Sequence, residues 1–132
     1  MSANRRRLEL GNVRTDLRRK LVEAVLRGDK TATTSLRADY EPHTSEPLPE
    51  VGERSLVLGW DDEPLAVVET IEVRVVAAGQ VDIRFARDEG EGFKSVADWR
   101  AAHERFWADH TITDETEVVC ERFRLMARFE PS

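Results

Sequence analysis

Apolar residues recur every four positions near the start of the chain. Four of them share this spacing and fall on one stripe of a helix: Val13, Leu17, Leu21 and Val25. The pattern predicts a helix over residues 14–27. Asn12 or Thr15 can cap its start, and Gly28 can adopt the left-handed conformation that ends it.

Two longer stretches alternate between apolar and polar residues, as strands do when one face is buried. They cover Leu65–Val76 and Glu117–Phe129, and Ser55–Trp60 has the length and composition of a shorter strand. In each long strand one glutamate, Glu69 or Glu121, interrupts the apolar face. Because a buried carboxylate is costly without a partner, each glutamate is expected either to line a polar cavity or to pair with an arginine.

The order of these elements predicts an α+β fold. A second helix is predicted over residues 95–109, with Ser95 as its N-cap, and a long polar loop covers residues 38–53. Long alternating strands favour an antiparallel or mixed sheet over a doubly wound parallel one. We therefore expect a small, closed or nearly closed β-barrel with flanking helices. Both long strands should be central, with Val67 and Phe123 facing the interior.

Length and composition limit the class of protein. The chain has 132 residues, which suits a single domain over 1–132, with residues 1–12 as a flexible lead-in. It has neither an apolar run long enough to span a membrane nor the pattern of a secretory signal, so a cytoplasmic location is expected. The single cysteine, Cys120, excludes a disulfide within the chain and a cysteine-rich zinc site.

Charge is unevenly distributed along the chain. The net charge is −6, but residues 1–37 hold ten Lys/Arg against four Asp/Glu, and residues 38–132 hold ten against twenty-two. An acidic chain is a poor general binder of nucleic acid, because affinity there comes largely from neutralised phosphates. DNA is therefore not expected as a partner, whereas a local basic region can still hold a single nucleoside or a short RNA.

Candidate chemistry is concentrated where the first helix ends, in RGDKTATTSL (Arg27–Leu36). If this stretch is extended, Lys30 and Thr34 face one side while Thr33 and Ser35 face the other; a bend after the helix would instead bring Lys30 next to Thr33. An ammonium beside a hydroxyl can hold an oxyanion, or act as a base if it is buried. The alternative is a threonine-rich edge strand with a solvated lysine, which spacing alone favours. Only three of the twenty cationic residues are lysines, however, which sets Lys30 apart.

Two further stretches carry residues capable of chemistry. RFARDEGEGF (Arg84–Phe93) concentrates acidic residues around two glycines; it is a solvated turn or part of a site, and it lacks the dinucleotide-binding fingerprint. His103 lies four residues after Trp99 on one face of the second helix, where both either contact a ligand or pack in the core. The histidines show no close metal-ligand spacing, so neither a metal nor another cofactor is expected.

Taken in order, these pieces resemble the ASCH family. The matching stretches are GDKTATTSL at 28–36, Tyr40, EPLPEVGERSLVL at 46–58, PLAVVETIEV at 64–73, FARDEGEGFKSVADWRAAHERF at 85–106 and VVCERFRLMARF at 118–129. The resemblance covers nearly the whole chain after the first dozen residues. It implies a PUA-like β-barrel with flanking helices and a cleft suited to RNA or a modified nucleoside.

One branch of the family removes the acetyl group from the exocyclic amine of acetylated cytidine, using a lysine, a threonine three residues later and a glutamate. In this sequence those positions are Lys30, Thr33 and Glu89, which the resemblance implies as catalytic residues. Substrate contacts are expected from seven further residues: Thr34, Ser35, Arg37, Tyr40, Glu69, Trp99 and His103. This chain is longer than that branch, and it carries an EPLP loop and a WRAAH pattern that the branch lacks.

The resemblance favours a cofactor-free amidohydrolase acting on an acylated pyrimidine nucleoside. One alternative is a non-catalytic RNA-binding module that uses Lys30, Arg37 and the N-terminal arginines. Another is a metal-independent ribonuclease, because a different family member cleaves RNA. In each case the loop 38–53 and the turn Asp88–Gly92 are expected to flank the same cleft as Lys30.

Overall fold

The structure is a computed structural model that describes residues 6–8 and 10–129. Its strands are β1 (Arg6–Leu8), β2 (Ala32–Leu36), β3 (Arg54–Leu58), β4 (Pro64–Ala77) and β5 (Glu117–Arg128). Its α-helices are α1 (Asp16–Arg27), α2 (Ile83–Asp88) and α3 (Val96–Phe106). None of these helices is both long and apolar enough to cross a membrane.

The five strands form one mixed sheet in the order β1-β3-β4-β5-β2. β1 pairs with β3 in parallel, and the other neighbours are antiparallel. β4 and β5 are therefore central, as their alternation predicts, and Val67 and Phe123 are both buried. The two outer strands, β1 and β2, are not paired with each other among the described residues, so the sheet is not closed. The α+β class is confirmed, and the closed barrel is not.

The two outer strands nevertheless border one cleft. Arg7 and Leu8 of β1 line it together with Thr33, Thr34 and Ser35 of β2, and its volume is about 620 Å³. The sheet thus curls far enough for its outer strands to share a cavity without a ladder of hydrogen bonds between them.

Helix α1 begins and ends where its sequence signals lie. The Thr15 side chain accepts a hydrogen bond from the backbone N–H of Arg18, and Gly28 adopts the left-handed conformation with φ of 87°. Val22 and Val25 of α1 pack against a core cluster that includes Phe123 of β5. The chain then turns directly into β2, so Lys30 lies between the end of a packed helix and an outer strand of the sheet.

A second core cluster forms around α2 and α3. Phe85 of α2 and Trp99 of α3 are almost completely buried in it, together with Val118 and Cys120 of β5. Ser95 caps α3 by accepting a hydrogen bond from the backbone N–H of Asp98, as its sequence predicts. Helix α2 begins one residue before the stretch Arg84–Phe93, which the sequence predicts as a turn or part of a site, and covers its first half. It was missed because six residues are too few to show a helical period.

The predicted flexible lead-in differs from the structure where the structure describes it. Residues 6–8 form β1, and Leu10 is buried against α1 and the sheet. A three-residue strand at the edge of a sheet leaves almost no periodic signal, because two of its residues are arginines. Residues 1–5 and 9 of that lead-in lie outside the described residues.

Burial along β4 follows the predicted face, that of Leu65, Val67 and Glu69, only in part. Ala66, Val68 and Thr70 are buried, whereas Ile71 and Val75 of the predicted apolar face are 47% and 41% exposed. The pairing of β4 with β5 shifts register between Val67 and Val68 and again after Thr70, as β-bulges do. Ile71 is the extra β4 residue at the second shift, so the side chains after it change face and strict alternation does not hold along β4.

Candidate active site

A cavity of about 410 Å³ opens between α1 and α3, next to the start of β2. Leu17 and Leu21 of α1 and Phe106 of α3 give it apolar walls. Its polar part is formed by Lys30, Thr33, Thr34, Glu89, Glu91 and His103. The cavity therefore combines a buried charged cluster with an apolar entrance of helix side chains.

The ammonium of Lys30 is held by acceptors alone. Lys30 is 2% exposed. Its Nζ donates to the backbone carbonyls of Ala32 at 2.8 Å and Glu89 at 3.1 Å. The carboxylates of Glu91 and Glu89 lie 3.5 Å and 3.7 Å from the same nitrogen. This environment suits a charged ammonium, which has three donors and no acceptor.

Glu89 is the most enclosed carboxylate in the cluster, at 1% exposure. Its Oε2 accepts hydrogen bonds from the Thr34 hydroxyl at 2.7 Å and the Trp99 indole N–H at 2.6 Å. Its Oε1 lies 3.4 Å from His103 Nε2 and 3.7 Å from Lys30 Nζ. Burial alone would raise the pKa of Glu89, but the hydrogen bond with His103 and the charge of Lys30 outweigh it and lower this pKa to about 2.

His103 faces an acceptor with each of its ring nitrogens. Nδ1 lies 2.8 Å from the carbonyl oxygen of Trp99, one turn earlier, and Nε2 faces Glu89. The ring also stacks on Trp99, with centroids 4.4 Å apart. Burial acts to lower the pKa of His103, but the hydrogen bond and charge of Glu89 outweigh it and raise this pKa. Only the imidazolium can donate to both acceptors at once.

A glycine between the two glutamates sets their positions. Gly90 has φ of +72°, and a β-carbon there would lie 2.5 Å from the carbonyl oxygen of Asp29. The backbone N–H of Thr31 donates to the carbonyl of Asp88 at 2.8 Å, which fixes the two segments side by side. The close backbone approach places Glu89 and Glu91 within reach of the same ammonium.

The fold and this cluster can be compared with known proteins. The ASCH domain model matches residues 9–127. The chain belongs to the ASCH family. No curated protein gives a significant match.

Three solved structures show the extent of the likeness. An ASCH domain from Lactobacillus crispatus JV V101 is 31% identical, with a TM-score of 0.74, over 83% of this chain and 72% of that one. Protein EF3133 from Enterococcus faecalis V583 is 25% identical, with a TM-score of 0.82, over 97% of this chain and 79% of that one. A mutant of the protein ZmASCH from Zymomonas mobilis, at 12% identity and a TM-score of 0.53 over 86% of this chain and 69% of that one, shares the fold alone.

In this ASCH domain, Thr33 and Thr34 separate two neighbouring cavities. Both residues line the Lys30 cavity and also the cleft between the outer strands. Thr34 is committed to Glu89 by its hydrogen bond. The Thr33 hydroxyl has no hydrogen-bond partner within residues 6–8 and 10–129. Alternation along β2 predicts this difference, because it places Thr34 on the side of Lys30.

Ser35 and Tyr40 line the second cleft rather than the Lys30 cavity. Their hydroxyls share a hydrogen bond of 2.7 Å. Glu121 lines the same cleft, where its Oε2 accepts a hydrogen bond from Thr70 at 2.6 Å. The loop 38–53 reaches this cleft through Asp39, Tyr40 and Glu46, while the turn after α2 reaches the Lys30 cavity. The two predicted flanking segments therefore border adjacent cavities that share two threonines.

Two more of the expected substrate contacts, Glu69 and Arg37, lie away from both cavities. Glu69 pairs with arginines of the neighbouring strands, Arg54 at 3.3 Å and Arg124 at 3.5 Å. Arg37 donates to the carbonyl of Glu41 at 2.7 Å and lines a different cleft.

Trp99 supports the cluster from the core side, through its indole N–H and its stacking on the His103 ring. Within the described ranges, no three His, Cys, Asp or Glu side chains converge as metal ligands do.

Sequence reasoning gave no role to one residue of the cluster, Glu91. Its only signal is position: it follows Glu89 by two residues across a glycine that must have a positive φ. The apolar walls of the cavity were also missed, because Leu17 and Leu21 belong to the stripe that predicts helix α1. A residue on the margin of such a stripe can face a cavity instead of the core.

Proposed function

We propose that this ASCH domain is an amidohydrolase that removes an acyl group from a modified pyrimidine nucleoside. The observation that carries the proposal is a cavity of about 410 Å³ that holds both the buried Lys30–Glu89 pair and the Thr33 hydroxyl, which has no hydrogen-bond partner among the described residues. Buried ion pairs contribute little to stability, and ionisable groups perturbed within a cleft are typical of functional sites. The volume lies within the range of small-molecule sites, roughly 300–1,000 Å³.

Lys30 is the proposed oxyanion holder. Two of its three N–H groups donate to the carbonyls of Ala32 and Glu89, and the third, now 3.5 Å from Glu91, can turn to an acyl oxygen and polarise the carbonyl. A preorganised charge of this kind stabilises the negative oxygen that develops when the carbonyl is attacked. Thr33 orients the attacking water through its hydroxyl.

Glu89 serves as a counter-charge in this proposal. A carboxylate with a pKa of about 2 is a weak base at neutral pH, and Glu89 already accepts hydrogen bonds from Thr34 and Trp99 beside the charge of Lys30. It fixes the positions of Lys30 and His103 and remains ionised throughout. The proton transfer that amide hydrolysis requires is therefore left to another group.

A nucleoside suits the cavity better than a stretch of RNA does. Lys30 and Arg37, which an RNA-binding module would use, do not present charge to a phosphate backbone: Lys30 is buried, and Arg37 is bonded in a separate cleft. The walls formed by Leu17 and Phe106 suit a flat base. The net charge of −6 also favours a nucleoside over RNA, because RNA binding depends largely on neutralising phosphates.

The test is incubation with N4-acetylcytidine, longer N4-acylcytidines and short RNAs, with products identified by mass spectrometry. We expect release of cytidine and the free acid. Lys30→Arg keeps the charge but misplaces it, so turnover should fall by about a hundredfold, the typical loss for one oxyanion donor. Lys94→Arg, at an exposed position just before α3, is the matched control and should retain full turnover. Cleavage or salt-sensitive binding of RNA, with every acylated nucleoside left intact, would refute the proposal.

A further inference from the structure

The two carboxylates beside Lys30, Glu89 and Glu91, differ in their exposure and in the number of hydrogen bonds they accept. Glu89 is enclosed: Thr34 and Trp99 donate hydrogen bonds to it, and His103 and Lys30 lie 3.4 Å and 3.7 Å from its Oε1. The Glu91 side chain is 24% exposed and lines the cavity, and Lys30 Nζ at 3.5 Å is its one hydrogen-bond donor among the described residues. A carboxylate with unused acceptor sites at a cavity wall can exchange a proton with a ligand, whereas a saturated one cannot.

We propose that Glu91 is the proton carrier of the amide hydrolysis, a role that rests on the amidohydrolase function proposed above. The ionised Glu91 takes a proton from the water that attacks the acyl carbon. The new C–O bond gives a tetrahedral oxyanion beside Lys30. When the C–N bond breaks, Glu91 returns the proton to the leaving amine, and the products are the carboxylic acid and the deacylated nucleoside. No other reactant is required.

The electrostatics agree with this division of roles. Burial raises the pKa of Glu91, and the charge of Glu89 acts in the same direction, although Lys30 and His103 oppose both. The pKa of Glu89 is lowered instead. Two neighbouring carboxylates whose pKa values are driven apart are a recurrent arrangement of acid–base catalysis. The other charged groups around Glu91 line the same cavity or the adjoining cleft on α1: Lys20, Glu23, Arg27 and Arg105.

The geometry around Gly90 gives both glutamates access to one ammonium. The backbone of residues 88–91 lies against Asp29 and Lys30 at a distance that excludes any side chain at position 90. Glu89 therefore approaches Lys30 from the protein interior and Glu91 from the cavity. The same lysine can hold the oxyanion while its partner on the cavity side moves the proton.

The experiment compares Glu91→Gln, Glu91→Asp and wild type on N4-acetylcytidine from pH 4 to 9. Loss of a general base costs about 10²–10⁴-fold, so Glu91→Gln should lower kcat by at least a hundredfold with little change in KM. In wild type, kcat/KM should rise as Glu91 ionises, and Glu91→Gln should lose this acidic limb. Glu91→Asp should retain the limb at a reduced rate. Glu104→Gln, an exposed glutamate on α3 paired with Arg100, is the control and should match wild type.

The outcomes separate the two proposals. If wild type hydrolyses N4-acetylcytidine and Glu91→Gln does so equally well with the same pH profile, the role of Glu91 is overturned and the amidohydrolase function stands. If wild type turns over no acylated nucleoside, both are overturned. Thermal unfolding of each variant shows whether a loss of rate is a loss of fold. Should Glu91→Gln fail to fold, a Glu91→Asp profile without the acidic limb would by itself overturn the role.

Discussion

Replacing Gly90 by alanine perturbs the backbone contact on which the whole cluster depends. The new β-carbon would lie 2.5 Å from the Asp29 carbonyl oxygen and 2.7 Å from the Lys30 Cα. Both are backbone atoms, so no rotamer change relieves the contact and the segments must separate. Gly92→Ala is a matched control, because Gly92 also has a positive φ of +81° but a β-carbon there meets nothing within 4 Å.

The expected magnitudes follow from this comparison. A left-handed conformation costs a non-glycine residue about 1–2 kcal/mol, a cost that both variants share. Forcing extra volume into a packed site adds about 1–3 kcal/mol, which falls on Gly90→Ala alone. The free energy of unfolding should therefore fall by roughly 2–5 kcal/mol for Gly90→Ala and about 1–2 kcal/mol for Gly92→Ala.

Urea denaturation followed by circular dichroism measures these losses, and hydrolysis of N4-acetylcytidine measures the effect on the site. A shift of about 1 Å in a catalytic group can cost a hundredfold in rate, so Gly90→Ala should lose far more activity than Gly92→Ala. Equal losses of stability for the two variants would refute the reasoning. They would mean that residues 88–91 do not lie against Asp29 and Lys30.

Two further predictions concern the carboxylate and the hydroxyls of the cluster. The lowered pKa of Glu89, about 2 against an ordinary 4.5, corresponds to about 3 kcal/mol that stabilises the fold above pH 4.5 and is lost as the pH falls towards 2. The gap in unfolding free energy between wild type and Glu89→Gln should therefore narrow with acid, and a gap independent of pH would contradict this. Thr34→Val should destabilise the fold by about 1–3 kcal/mol, because it leaves Glu89 a donor short. Thr33→Val should lower turnover with little effect on stability, and the reverse pattern would exchange the roles of the two threonines.

Helix α1 and the two central strands could be predicted because their signals are repeated along the sequence. The four-residue spacing reflects packing only towards the end of α1, where Val25 is 1% exposed, whereas Val13 and Leu17 are each 41% exposed. Thr15 and Gly28 are local caps whose function depends on the adjacent turn alone. Such features depend on the sequence of one element alone, so they can be predicted without knowing which elements pack against it.

The separate roles of the hydroxyl residues that follow α1 could be predicted only in part. Extended geometry places Thr34 on the side of Lys30, and Thr34 does bond Glu89. The family resemblance pointed instead to Thr33, which lines the cavity with an unused hydroxyl. The two lines of reasoning describe different tasks: one threonine orders the buried carboxylate, and the other is available to a ligand. Spacing alone could not show that both tasks exist, because the partner, Glu89, lies 55 residues away from Thr34.

Glu69 and Glu121 show why an identical sequence signal leads to two outcomes. Each interrupts an apolar alternation, yet Glu121 lies inside beside Thr70 while Glu69 pairs with Arg54 and Arg124 at a partly exposed position. The cause is the bulge at Ile71, the extra β4 residue between Thr70 and Glu72 in the pairing with β5. A bulge adds one residue to one strand and moves the following side chains to the other face, at a point that depends on the partner strand. The face of a β4 residue is thus a property of two strands together, and the sequence of β4 alone could not determine it.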